Sequence, residues 1–408
     1  MSSSLKSAWP TVFLDQWVWI RFAAAAKGRP RDPDDVRAYE AALRAREAGV
    51  VFPLSATRYE ETGRIRDPQQ RQDLADVVAP LSELRALRTQ SDLIAQQILV
   101  ALHETLKRPT FRPSAIQTLG VGAHWAFTGR NAFFKPVAPG DRVVDVDGAW
   151  LRQVAQFSEY MLFAGPSDAA LPGLLKYGYA DPRDLEASPT SRLERERALA
   201  AQLGVSPQPS ATLLRFLQVR ELWSDHRAIL ARLAADYRLS FSTILPPPDV
   251  KAPFSATVAD FIDRVPTPLL AAQMKHDIIR QHRPWTWNML RDIEAMSVAI
   301  PYCDAVMMDK DAVHLAAKVR APERHDTTMI TQMSELVDVL PDLEARVSAD
   351  AGEPPGWNML GPYEPFHMTQ PRALRVDEVP AEVEMRLVLD DGQVLQRPVV
   401  PDTGTTGT

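Results

Sequence analysis

The chain has 408 residues and a formal net charge of −6, and 45% of its residues are hydrophobic. This is an ordinary globular composition, whereas the overall charge gives no general attraction to nucleic acid. Cys303 is the single cysteine, which excludes an intrachain disulfide and fits a reducing compartment. No apolar run approaches the roughly 20 residues of a membrane span, and the N-terminus does not resemble a signal peptide. We therefore expect a cytoplasmic protein that does not enter a membrane.

The first part of the chain alternates short strands with helices. Val12–Leu14 is a continuous apolar run typical of a buried strand, and Asp15 follows it directly. Asp32 begins a helix that continues almost to Gly49. Val50–Leu54 predicts a second strand, and another helix follows it. This alternation predicts an α/β fold with a parallel sheet.

Residues 91–282 have a different pattern, in which apolar stripes at helical spacing are separated by Pro and Gly. They predict a mostly helical region inserted into the α/β core. The α/β pattern returns in residues 283–345, where Ala305–Met308 and Thr327–Ile330 predict short strands. The core would then be discontinuous, formed by residues 1–90 and 283–345.

Residues 346–408 form a C-terminal extension. Val383–Leu389 alternates apolar and polar residues, an Asp-Asp-Gly turn follows, and Gln393–Val399 comes next. This pattern predicts a β-hairpin. Pro401–Thr408 predicts a disordered tail.

Five acidic residues lie close to the predicted strands of the α/β sheet, where open sheets bind their ligands beyond the carboxyl ends. They are Asp15, Glu61, Asp292, Asp304 and Asp309. Asp15 and Asp309 also fit an ordinary role as helix caps. A carboxylate beside the apolar run at Asp15 is nevertheless costly unless it is paired or binds a metal.

Taken together, these segments resemble the PIN-like nucleases. Thr11–Ile20 places an aspartate after an apolar run, and Pro53–Thr62 places a glutamate before threonine. Arg291–Lys310 carries a helical aspartate, an apolar-Pro-Tyr step, a second aspartate, a strand and Asp-Lys. The resemblance covers about residues 11–90 and 285–345, and it implies a PIN-like parallel-sheet core with a large helical insertion.

The resemblance also implies a metal-dependent endonuclease. Asp15, Glu61, Asp292 and Asp309 would be the catalytic, metal-binding acids, with Asp304 as a fifth metal-binding member or a supporting group. Carboxylate oxygens suit Mg²⁺ or Mn²⁺, and such an ion lowers the pKa of bound water and stabilises a leaving oxygen. The expected substrate is nucleic acid, with RNA favoured over DNA.

Two basic segments are candidates for contacts with nucleic acid. Lys275, Arg280 and Arg283 alternate with two tryptophans just before the helix of Asp292, a pattern that can bind phosphates and stack on bases. Arg58 belongs to a second basic cluster near Glu61. For both segments, the alternative is a solvated helix surface.

A second interpretation of the whole chain stays open. A non-catalytic PIN-like protein would keep the fold and use its helical region to bind a protein partner or a second copy of itself. Metal binding discriminates between the two, because an intact set of acids should bind Mn²⁺.

Overall fold

The computed structural model describes residues 5–106, 113–138, 142–143, 148–166, 172, 188–205, 209–238, 256–348, 351–352, 354 and 384–389. The strands of this part are β1 (Val12–Leu14), β2 (Arg85–Leu87), β3 (Leu119–Val121), β4 (Ala132–Ala138), β5 (Arg142–Val143), β6 (Ala305–Met307), β7 (Thr328–Ile330) and β8 (Glu384–Leu389). The helices of the first half are α1 (Gln16–Ala26), α2 (Pro33–Glu47), α3 (Ala56–Gly63), α4 (Pro68–Ser82), α5 (Gln90–Leu106), α6 (Gly122–Thr128) and α7 (Gly148–Ala164). Those that follow are α8 (Ser188–Val205), α9 (Ser210–Arg220), α10 (Arg227–Tyr237), α11 (Ala256–Asp263), α12 (Pro266–Arg280), α13 (Trp287–Tyr302), α14 (Lys310–Lys318), α15 (Ala321–His325) and α16 (Met333–Ala345), with a π-helical turn at Glu221–Asp225 after α9.

The fold is α/β, mostly helical, with a small parallel sheet in the order β1-β6-β7. Leu14 is level with Met307, and Met307 is level with Ile330. Each strand is short and almost wholly apolar, as expected for strands covered on both faces. The predicted strands at the start of the chain and near residues 305 and 328 are therefore confirmed.

The strand predicted at Val50–Leu54 is reduced to two isolated parallel bridges, from Val51 to Thr11 and from Leu54 to Ala86. Pro53 lies between them and has no backbone N–H, so a continuous ladder cannot form there. The bridges still connect β1 to β2, and β3 pairs antiparallel with β2. This segment therefore extends the sheet without being a regular strand.

The sheet has an apolar layer on each face. Alternate residues of β1 point to opposite sides, so Leu14 packs with Trp19 and Phe22 of α1. Phe13 packs on the other side with Val306.

The second apolar layer also contains residues from the inserted region, among them Leu93, Leu217, Leu270 and Ile278. These residues of the inserted region therefore share a core with the sheet. The described part of residues 91–282 is mostly helical, but it also contributes β3, β4 and β5.

Only the first strand of the predicted C-terminal hairpin lies within the described residues. β8 forms where a strand was expected, but it pairs antiparallel with β4 of the inserted region, with Phe133 level with Val388. The second predicted strand, Gln393–Val399, and the tail Pro401–Thr408 lie outside the described residues. A distant partner for β8 has no local signature in the sequence.

Among the helices that the structure describes, none combines the length and apolar character needed to cross a membrane.

Candidate metal centre

Asp15 lies at the carboxyl edge of the sheet because it directly follows β1. Its backbone N–H donates to the carbonyl of Met307, 3.0 Å away, which continues the pairing of β1 with β6. Asp15 holds the N-cap position of α1, but its side chain caps none of the described N–H groups of that helix. The carboxylate instead lies 2.9 Å from the guanidinium of Arg58.

Asp309 reaches the same edge from β6, which ends at Met307. Its Oδ1 accepts a hydrogen bond from the backbone N–H of Ala312 at 2.8 Å, so the cap interpretation is confirmed for this residue. The side chain is exposed and lines a cavity of about 330 Å³ together with Asp292 and Arg283. The cap fixes the carboxylate while the cavity keeps it accessible.

Glu61 lies on α3, one turn after Arg58, so both side chains project from the same face of this helix. Arg58 is only 2% exposed, and its guanidinium lies 2.9 Å from Asp15 and 2.8 Å from Glu61. Glu61 also lies 3.3 Å from Arg291. The prediction that Arg58 contacts nucleic acid is corrected: its charge is buried between two of the acids.

The charges of the other three acids affect the pKa of Asp292, which lies on α13. Burial, together with the nearby charges of Asp15, Asp309 and Glu61, raises its pKa to about 7, against an opposing effect of Arg58. Burial also raises the pKa of Glu61, although Arg58 and Arg291 lower it. The structure therefore brings together Asp15, Glu61, Asp292 and Asp309, and the negative charge among them is not fully compensated.

One oxygen of Glu61 is left without a hydrogen bond. Its Oε2 is buried and has no hydrogen-bond partner among the described residues, although Arg58 Nη1 lies 2.8 Å away. The distance gives a Coulombic attraction, but the angles are not those of a hydrogen bond. A lone pair on a buried carboxylate oxygen is a suitable ligand for a hard cation.

The four acids are spread around a wider space than one ion spans. In the described part of the chain, the acidic group whose oxygens all lie within 4.8 Å of one another is a different one, Glu196, Glu221 and Asp225. The ammonium group of Lys275 already lies among these acids: its Nζ is 2.9 Å from Glu196 and 2.8 Å from Glu221. Lys275 is only 1% exposed, so its predicted contact with nucleic acid is corrected as well.

Asp304 does not join the four acids. It precedes β6 and so lies at the amino edge of the sheet, whereas Asp309 follows the strand at the carboxyl edge. Its carboxylate accepts a hydrogen bond from the backbone N–H of Thr11 at 2.8 Å and forms an ion pair with Arg346. The predicted metal-binding role of Asp304 is thus replaced by a structural one.

The two remaining basic residues have different positions. Arg280 is exposed, donates to Ser210 Oγ at 3.2 Å, and lines a separate cavity with His276 and Lys318. Arg283 lines the cavity of Asp292 and Asp309. Of these two arginines, only Arg283 borders the cavity that Asp292 and Asp309 line.

Sequence reasoning missed Arg291. It contacts Glu61, and its guanidinium lies 5.2 Å from the ring centre of Trp287. The residue is adjacent to Asp292 in the chain, but only the packing of α13 against α3 shows that its side chain neutralises Glu61.

Chemically, this arrangement offers hard oxygen ligands, a carboxyl group that titrates near neutral pH, and one arginine at the rim of the cavity.

Comparison with protein-family models, curated proteins and solved structures gave no match to this chain.

Proposed function

We propose that this chain is a metal-dependent nuclease of the PIN-like type, which hydrolyses phosphodiester bonds in nucleic acid, with RNA favoured over DNA. Asp15, Glu61, Asp292 and Asp309 would hold Mg²⁺ or Mn²⁺. The observation that supports the proposal is that four carboxylates from separate parts of the chain lie near enough to affect one another's charge at the carboxyl edge of one parallel sheet, although they are spread wider than one ion spans.

The charge at this edge supports a cation. Four carboxylates face the guanidinium groups of Arg58 and Arg291, so an excess of negative charge must be balanced by protons or by a metal ion. The buried Glu61 Oε2 has no hydrogen-bond partner in the described part of the chain, but a metal ion would have to compete there with the guanidinium of Arg58, 2.8 Å away. Hard oxygen donors fit divalent ions such as Mg²⁺, Mn²⁺ and Ca²⁺.

Each residue has a role in the proposed reaction. A divalent ion held by these acids would supply a water of lowered pKa and would stabilise charge on the scissile phosphate. Asp309 is held in a fixed orientation by the hydrogen bond that its carboxylate accepts from the backbone N–H of Ala312. Asp292 would be ionised when it holds the metal, and Arg283 would bind a phosphate at the cavity that both residues line.

A second candidate is a non-catalytic protein that keeps this fold and binds a partner. The observation that favours it is the position of Arg58, whose guanidinium already lies between Asp15 and Glu61 where a cation would be attractive. In that case the arginine replaces the metal and no hydrolysis follows.

The two candidates are separated by assaying end-labelled RNA and DNA with purified protein in Mn²⁺, in Mg²⁺ and in EDTA. The nuclease requires cleavage in metal, none in EDTA, and loss of cleavage in Asp15→Asn. Absence of cleavage together with absence of Mn²⁺ binding by calorimetry supports the non-catalytic alternative.

A further inference from the structure

A second cavity lies behind α13, on the side of this helix that faces away from the proposed metal centre. Its volume is about 290 Å³, close to the lower end of the range for pockets that bind small molecules. The residues that α13 contributes to its lining are Leu290, Ile293, Glu294 and Ser297. At about 100° per residue, these positions lie about 100–200° around the helix axis from Asp292. The cavity is therefore separate from the four acids.

The buried charges of this cavity balance one another. Lys275 and Glu221 line the cavity, and both are almost completely buried. The ammonium group of Lys275 contacts Glu196 and Glu221, and the guanidinium of Arg220 lies 3.2 and 3.4 Å from the same two carboxylates. Two cations thus face two anions, so this group leaves little net charge for a ligand.

Two exposed side chains of opposite charge remain at the cavity. Arg195, on α8, and Asp225, at the end of the π-helical turn, both line it, and neither forms an ion pair with a residue that the structure describes. Arg192, which also lines the cavity, is in contrast paired with Glu294. An arginine can bind a carboxylate through two parallel hydrogen bonds, and an aspartate can bind an ammonium group. The cavity therefore offers one contact for each end of a zwitterion.

Asp225 reaches the cavity through an unusual helical turn. Glu221–Asp225 is a π-helical turn between α9 and α10, and both of its end residues line the cavity. Such turns are rare and occur frequently at functional sites. His226 follows the turn and also lines the cavity, and burial lowers its pKa to about 4. Its ring is therefore neutral at physiological pH and can donate one hydrogen bond and accept another.

The rest of the lining includes aliphatic surface. Pro268 and Ala271 of α12 contribute to it together with Leu290 and Ile293 of α13. No phenylalanine, tyrosine or tryptophan is among the described residues that line this cavity. An aliphatic group of a ligand would be removed from water there, which is favourable.

We propose that this cavity binds a free aliphatic α-amino acid. The carboxylate of the ligand would lie on Arg195, its ammonium group on Asp225, and its side chain against Leu290 and Ile293. An α-amino acid carries both charges and a side chain on one carbon atom, so it combines these three features in a molecule small enough for the cavity. The inference goes beyond the proposed nuclease function and does not depend on it, because none of the four acids lines this cavity.

Binding is tested by isothermal titration calorimetry with the full chain in EDTA, which removes any metal ion. The probes are L-valine, L-leucine and L-isoleucine, followed by two analogues of the amino acid that binds most tightly. The α-hydroxy acid lacks the ammonium charge, and the α-amide lacks the carboxylate, while both keep the size of the amino acid. Each analogue should bind at least about tenfold more weakly than the amino acid, because it loses one charged hydrogen-bonding group.

Two variants assign the charges of the ligand to the two exposed side chains. Arg195→Gln should weaken binding of the amino acid about tenfold and abolish its advantage over the amide. Asp225→Asn should weaken binding by a similar factor and abolish the advantage over the hydroxy acid. Arg232→Gln and Asp236→Asn are the matched controls, because both residues are exposed, lie on α10 and do not line the cavity.

Selective losses in Arg195→Gln and Asp225→Asn, with both controls binding like the wild type, would support the inference. It would be overturned if none of the three amino acids binds at millimolar concentration, if the analogues bind as tightly as the amino acid, or if the cavity variants behave like the controls. Cleavage of RNA without amino-acid binding would leave the nuclease proposal standing, whereas amino-acid binding without cleavage would leave this inference standing alone.

Discussion

The guanidinium of Arg58 lies 2.9 Å from the carboxylate of Asp15, and the arginine is almost completely buried. The same guanidinium contacts Glu61 at 2.8 Å, so one cationic side chain holds two of the four acids in place. A metal ion at this edge of the sheet must therefore share these carboxylates with Arg58.

Replacing Arg58 should have opposite effects on stability and on metal affinity. Arg58→Gln leaves two partly buried acids without their counter-charge, which should reduce the free energy of unfolding in EDTA by about 2–4 kcal/mol. The higher density of negative charge should bind Mn²⁺ more tightly, so Mn²⁺ should raise the melting temperature of the variant more than that of the wild type.

The matched control is Arg37→Gln, because Arg37 forms an exposed ion pair with Asp34 on α2. Arg37→Gln should change neither the free energy of unfolding in EDTA nor the rise in melting temperature caused by Mn²⁺ appreciably. If Mn²⁺ stabilises Arg58→Gln less than the wild type, Arg58 supports the metal site and does not compete with it.

Asp15→Asn should remove cleavage while preserving the fold. The change keeps the volume and removes the charge of a proposed ligand, so we expect the rate to fall by at least about a hundredfold. Loss of attraction to Arg58 and relief of repulsion from Asp292 oppose each other, so the melting temperature in EDTA should change little. Near-wild-type cleavage by this variant would remove Asp15 from the mechanism.

Asp304→Asn should lower stability without affecting the metal site, which is the reverse of the effect expected for Asp15→Asn. Asp304 accepts a hydrogen bond from Thr11 and pairs with Arg346 at the amino edge of the sheet. Its neutralisation should cost about 1–3 kcal/mol of stability, because a buried charged hydrogen bond is weakened. Mn²⁺ affinity by calorimetry should stay unchanged, and a clear loss of affinity would return Asp304 to the metal site.

Lys275 should contribute to stability through its two buried glutamates. Lys275→Met leaves Glu196 and Glu221 with the guanidinium of Arg220, at 3.2 and 3.4 Å, in place of two cations, which should cost about 3 kcal/mol of unfolding free energy. The double variant Lys275→Met with Glu221→Gln should recover part of this loss, since one uncompensated charge is removed. Denaturant unfolding of the single and double variants measures the coupling, and strictly additive effects would contradict it.

Glu159 should make stability depend on pH. Burial raises the pKa of its carboxyl group from 4.5 to about 7, against hydrogen bonds from the backbone of Ala123 and the hydroxyl of Tyr59 that lower it. The folded state then binds more protons than the unfolded state between these two values, so this contribution to stability is complete below pH 4.5 and is lost as the pH rises to about 7.

The residue is partly exposed, so the expected loss from Glu159 is about 1–2 kcal/mol after allowance for solvent screening. Glu159→Gln should flatten this part of the stability profile, measured by denaturant unfolding at pH 5 and pH 8. A profile identical to that of the wild type would show that Glu159 does not change its protonation between pH 5 and pH 8, and would contradict the prediction.

The positions of Asp15 and Asp309 were predictable because their signals are local, whereas Glu61 and Asp292 were selected through the resemblance to PIN-like segments. An apolar run followed by an aspartate marks the end of β1, and Asp309 marks the end of β6 in the same way. The wrong assignment of Asp304 was avoidable in principle, because a residue that precedes a parallel strand lies at the opposite edge from one that follows it.

The other differences between the sequence-based predictions and the structure depend on contacts between distant parts of the chain. Burial of Lys275 depends on Glu196 and Glu221, which come from other helices, and the pairing of β8 depends on β4. Arg58 looked like one of several surface arginines until the packing of α3 placed it beside Asp15. No periodicity within a single segment encodes such partners.

The most direct test of the metal centre is anomalous diffraction from crystals of the full chain soaked in Mn²⁺. If the proposed metal centre is correct, a peak should lie among the carboxylates of Asp15, Glu61, Asp292 and Asp309, and it should be lost in Asp15→Asn crystals soaked in the same way. The absence of a peak at these four residues, with the guanidinium of Arg58 still between Asp15 and Glu61, would contradict it.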